Sequence, residues 1–136
     1  YAFYSCNQIR EIIFQKKSKL EKIGSHAFSY SSIKKIIFPP SLKTICNKAF
    51  SGCRQLQSIE FPNNSKLQTI SEDAFSFASI SSISIVPFFT EIDSIAFFSC
   101  YKLTIIEYNE YSDLESISLC VYSDDLIIMI PPKIYY

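Results

Sequence analysis

A chain of 136 residues that is 48% hydrophobic and 15% aromatic holds enough apolar material for one continuous core, and too much to stay disordered. Thirteen basic residues balance thirteen acidic ones, which argues against a nucleic-acid binder, a class that concentrates positive charge. No apolar run nears the roughly 18 residues a membrane span needs, and Tyr1–Cys6 has neither the basic start nor the apolar stretch of a secretion signal.

Taken along the chain, the elements repeat. The first coil opens at Ala2-Phe3 and continues through Cys6, Ile9, Ile12, Phe14, Leu20 and Ile23. The second opens at Ala27-Phe28, lacks the Cys, drops one residue before the next apolar position, and runs through Ile33, Ile36, Phe38, Leu42 and Ile45. The third restores the longer form with Ala49-Phe50, Cys53, Leu56, Ile59, Phe61-Pro62, Leu67 and Ile70. The fourth is short again, with Ala74-Phe75, Ile80, Ile83, Ile85, Phe89 and Ile92. The fifth is long, with Ala96-Phe97, Cys100, Leu103, Ile106, Tyr108, Leu114 and Ile117. Val121-Tyr122 begins a degenerate sixth, in which Asp124–Ile130 is shorter than its counterparts. The intervals are 25, 22, 25, 22 and 25 residues, so two coils always take 47.

These spacings predict a solenoid of mostly parallel β-structure, about five and a half coils with short turns or 3-10 corners, and one domain over 1–136. Its repeats start near 2, 27, 49, 74, 96 and 121. In L-x-x-I-x-F, alternation sends Leu56, Ile59 and Phe61 inward and Ser58 and Glu60 outward. Pro39, Pro62, Pro87 and Pro131 cannot donate to a ladder and end the strand. The shorter L-x-x-I piece forms a second wall, and the Ala-Phe corner closes the coil. Phe3, Phe28, Phe50, Phe75 and Phe97 are expected to stack as an internal spine. A coil cannot bury its own core, so the chain reads as a fragment of a longer array.

The pattern A-F-x-x-C-x-x-L-x-x-I-x-F-P, with S-x-L-x-x-I before the next A-F, resembles the BspA-like leucine-rich repeats from Ala2 to about Pro132. The resemblance implies a surface or secreted protein of anaerobic bacteria or parasitic protists, whose repeats mediate adhesion to host matrix or to other cells. Some relatives lack any export signal.

Little in the sequence points to chemistry. Cys6, Cys53 and Cys100 recur every 47 residues at one corner, two coils and roughly 10 Å apart, beyond the approximately 7 Å Cα separation a disulfide allows. Together with Cys46 and Cys120 they read as buried free thiols; stapling of a secreted scaffold is the alternative, with Cys46 and Cys53 the least implausible pair. His26 lies one coil from Cys46, but a solenoid corner offers neither pocket nor orienting group, and an exposed loop histidine is the plainer reading. Two glycines, Gly24 and Gly52, cannot make a phosphate-cradling loop, and no zinc spacing or facing carboxylate pair occurs. No catalytic residue, metal or cofactor is expected. Asn63-Asn64-Ser65 is a glycosylation sequon, with Asn63 the acceptor.

The expected function is binding of a protein or glycan ligand by a surface adhesin or antigen; the alternative is an intracellular scaffold with the same fold. Outward strand positions name a candidate surface. Ile13 and Ile37 occupy equivalent places on adjacent strands, and Arg10, Lys34 and Lys35 surround them with positive charge. An apolar centre with a basic rim suits an acidic protein loop or a sulfated glycan. Residues 1–48 carry a net charge of +7 and residues 91–125 one of −7, a polarity that favours weak head-to-tail self-association.

Overall fold

The computed structural model describes residues 1–108 and 127–129. Each of the first four coils contributes one short strand to each of two walls, and every pairing is parallel and joins strands one coil apart. On the first wall β1 (Glu11–Ile12), β3 (Lys35–Ile37) and β5 (Ser58–Glu60) form one sheet, and β7 (Ser82–Ile85), β9 (Ile105–Tyr108) and β10 (Ile127–Met129) form another. On the second wall β2 (Lys22–Ile23), β4 (Thr44–Ile45), β6 (Thr69–Ile70) and β8 (Glu91–Ile92) form one continuous sheet. The described residues contain no helix, and the corners are turns rather than 3-10 segments.

Register follows the repeat. Ile12 pairs with Ile36 and Ile36 with Ile59, Ile83 pairs with Ile106, and Ile23, Ile45, Ile70 and Ile92 line up across the second wall. Stacking like on like buries each inward Ile against its neighbours, and a slip of one residue would turn the apolar set outward. In the degenerate sixth repeat Ile128 pairs with Ile106. The first wall's ladder is interrupted between β5 and β7, which fall in separate sheets.

The corners carry a third ladder that the alternation of side chains does not announce. The amides of Phe3, Phe28, Phe50 and Phe75 donate to the carbonyls of Ala27, Ala49, Ala74 and Ala96 at 2.7–2.8 Å, each reaching the next coil. Above this ladder runs the expected spine: successive phenylalanine rings from Phe3 to Phe97 stack with centroids 5.1 to 5.3 Å apart and planes within 11°. Ala49, Ala74 and Ala96 are fully buried beneath it.

Three residues after each Ala the chain enters the left-handed region, at Ser5, Tyr30, Gly52, Phe77 and Ser99, with φ between 54° and 72°. Non-glycine residues pay about 1–2 kcal/mol for that conformation. The amides at Ser5, Tyr30, Gly52 and Phe77 each bond a carbonyl one coil on, at 2.8–2.9 Å, so the ladder holds them there.

Candidate functional site

The difference between long and short coils has a physical location. A short coil omits one residue just before the first-wall strand and two in the turn after it; Phe61 precedes Leu67 by six positions, and Phe38 precedes Leu42 by four. At those places the chain of a short coil is recessed between two long neighbours. A groove of about 420 Å³ lies over the second coil, with Phe14 and Lys16 from the first coil and Pro62 from the third as its flanks. Clefts of about 350 Å³ and 190 Å³ lie over the fourth coil, one on each side of its strand.

The groove over the second coil contains most of the apolar surface expected from sequence. Ile13 is 81% exposed and Ile37 is 50% exposed, and with Pro39 and Pro40 they form its apolar lining. Ile37 ends β3 and Ile13 directly follows β1, whose residues pair in register with β3, so the two stand at equivalent places on neighbouring coils about 5 Å apart. The charged rim differs from the expected one. Lys35 lines the groove, but its ammonium lies 2.6 Å from the Glu60 carboxylate, and Glu11 sits opposite Lys35 in the register. Arg10 and Lys34 are exposed but do not line the groove; the backbone amide of Lys34 donates to the Arg10 carbonyl. Lys16, from the turn of the first long coil, does line it and was not singled out in the sequence, because only the stacked turns reveal its place. The rim is therefore mixed in sign.

The remaining candidates also have definite places. Cys46, Cys53 and Cys100 are buried free thiols and Cys6 is a half-buried one, so the Cys46–Cys53 bridge is not formed; Cys120 lies outside the described residues. Cys53 and Cys100 each donate through sulfur to a phenylalanine carbonyl one coil back, Phe28 and Phe75, at 3.0 Å. Burial pushes the Cys53 thiol up and the Cys100 thiol up to about 12, the opposite of what a nucleophile needs. His26 is half-buried rather than exposed: its ring stacks on Tyr1 at 4.6 Å, and Nδ1 lies 3.4 Å from the Ser29 hydroxyl. Asn63 stands exposed in its turn. Among the described residues no cluster of three or more His, Cys, Asp or Glu could hold a metal. Of the acidic half of the charge polarity, Glu110, Asp113, Glu115, Asp124 and Asp125 lie outside the described residues.

The repeat matches the family model for the BspA type leucine rich repeat region, in six copies across residues 1–126. The chain belongs to this family. Three solved structures show how the BspA-type coil is shared. The pneumococcal vaccine antigen PcpA is 32% identical over 73% of this chain, with a TM-score of 0.70. A leucine-rich repeat protein from Bacteroides ovatus is 28% identical over 100% of the chain, with a TM-score of 0.72. A leucine rich cell surface protein from Faecalibacterium prausnitzii, 22% identical over 82% of the chain with a TM-score of 0.61, shares the fold. The BspA-type array described here spans 25%, 41% and 35% of those three chains respectively. No curated protein sequence matches it.

Proposed function

We propose that this BspA-type array is the binding module of a cell-surface adhesin or antigen, and that the groove over the second coil receives an extended segment of a protein ligand. The exposed Ile13–Ile37 pair carries the reading. Two β-branched side chains at equivalent places on adjacent coils, bordered by prolines that have no amide to satisfy, make an apolar trough. Full burial of an exposed isoleucine is worth about 1.5–3 kcal/mol, most of which Ile13 and about half of which Ile37 has still to gain on binding. Because Lys35 is already neutralised by Glu60 and Glu11 shares the rim, the groove suits a peptide of mixed charge better than a polyanion such as a sulfated glycan. The surface setting is supported by the pneumococcal antigen at 32% identity.

The test is adhesion to an extracellular-matrix preparation and to intact host cells, with Ile37→Ser and, separately, Lys34→Glu with Lys35→Glu, each checked for folding by thermal melt. Ile37→Ser is expected to weaken binding about tenfold or more, equivalent to ~1.4 kcal/mol, and the lysine reversal to weaken it less. Full retention of adhesion by both variants would sink the site.

A further inference from the structure

The larger cleft over the fourth coil is chemically unlike the others. Long coils on either side project Arg54 and the pair Tyr101-Lys102 past the recessed Ala78-Ser79 of the short coil. The lining contains two cations and no acid, whereas the other grooves include Glu11 or Glu107. Neither Arg54 nor Lys102 has an ion pair among the described residues, where the only salt bridges are Lys35–Glu60 and Lys43–Glu21. Two aromatic rings complete the cleft. Phe77 occupies the left-handed corner position, φ 61°, and its ring is 46% exposed and braced edge-on by Phe98 at 6.0 Å; Tyr101 is 68% exposed. Phe77 packs on Phe98 and not on Tyr101 among the described residues, so the two rings border the cleft instead of clamping a flat base.

We propose that this cleft binds an anionic sugar ring, a uronate-type residue of a glycan, with Arg54 and Lys102 holding the carboxylate and Tyr101 or Phe77 taking a C–H face of the pyranose. The planar guanidinium of Arg54 matches a carboxylate in bidentate fashion, and Lys102 adds a second positive charge. The negative face of an aromatic ring attracts the polarised C–H bonds of a saturated ring, which also buries that ring's least polar side. Ser79 donates its hydroxyl to the Arg54 carbonyl at 2.7 Å, leaving its oxygen lone pairs for a sugar hydroxyl. A cleft of about 350 Å³ lies in the range of roughly 300–1,000 Å³ of small-ligand sites. Two cations in a chain of balanced charge are too few to hold a nucleic-acid backbone, whose binding scales with the number of phosphates neutralised.

The experiment is calorimetric titration of the whole chain with a glucuronate-containing tetrasaccharide, its carboxyl-reduced neutral counterpart and an acidic peptide. Saturable binding of the uronate oligomer is expected, at least tenfold weaker for the reduced oligomer and the peptide. Arg54→Gln with Lys102→Gln should weaken it about tenfold, as should Tyr101→Ala, with unchanged melting curves. Ile37→Ser, on the other groove, should leave it intact, so the two sites fail or stand separately. No saturation, equal binding of the neutral oligomer, or tighter binding of the peptide would overturn the assignment.

Discussion

Gly52 holds the left-handed corner position of the third coil with φ 72°, and the Tyr30 ring lies where its Cβ would be. A methyl group there meets the ring as well as the backbone cost. Gly52→Ala should therefore lower stability by more than the roughly 1–2 kcal/mol of the conformation alone, and the same change in a Tyr30→Ala background should cost only the latter. Equal losses in the two backgrounds, read from denaturant melts, would exclude the clash. The buried thiols make a second prediction. Folding holds the Cys100 thiol at about 12 against a usual 9.0, because burial disfavours the thiolate. Below 9.0 both folded and unfolded chains keep the proton; as pH rises from 9 toward 12 only the unfolded chain loses it, so stability falls. The stability advantage of the native chain over Cys100→Ala should shrink across that window, and an advantage independent of pH would contradict the assignment. Burial of these thiols was legible from their 47-residue recurrence. The left-handed position was not, since Ser5, Tyr30, Gly52, Phe77 and Ser99 share no chemistry.

At the scale of elements, the phenylalanine spine is where position in the stack decides energy. Phe50 is fully buried between Phe28 and Phe75, while Phe3 at the first coil is 45% exposed and has one ring neighbour in the stack, Phe28. Phe50→Ala is expected to cost about 3–5 kcal/mol, and Phe3→Ala less than half of that. Comparable losses from urea unfolding would mean that burial and the number of stacked neighbours do not set the cost of removing a ring. The strands and this spine could be read from sequence because both are periodic: period two within a strand, and 47 residues between like corners. Two features could not be read so. The corner ladder joins backbone to backbone and leaves no side-chain signature, and the interruption between β5 and β7 falls between strands of ordinary sequence, Ser58–Glu60 and Ser82–Ile85.

Across the whole molecule, grooves arise wherever a short coil lies between two long ones, and the binding proposals rest on those grooves. The lengths 25 and 22 are plain in the sequence, and so were Ile13 and Ile37 as outward residues. What could not be read is where the missing residues fall in space, which brings Lys16 to one groove and joins Arg54 to Lys102 at another across just over two coils of sequence. Lys35 illustrates the same limit: its charge is visible, but its neutralisation by Glu60, 25 positions on, depends on stacking.

The strict succession of two coil lengths also constrains how a gene for such an array can change. Recombination between repeats that removes a long and a short coil together, 47 codons, recreates only junctions that already exist; removal of one coil creates a new kind. Excising Phe28–Ala74 places the fourth coil directly on the first, short on long. Excising only Phe28–Ala49, 22 residues, sets two long coils face to face, brings Cys53 against Cys6 in place of Ser31, and erases the recess between them. Because stability in a stack is nearly a sum of coil and junction contributions, the smaller excision, which also creates a mismatched junction, should cost more stability per coil removed. Thermal melts of the two shortened chains decide it. An equal or smaller loss per coil for the 22-residue excision would mean that coil length is not matched between neighbours, and that such genes can drift by single repeats.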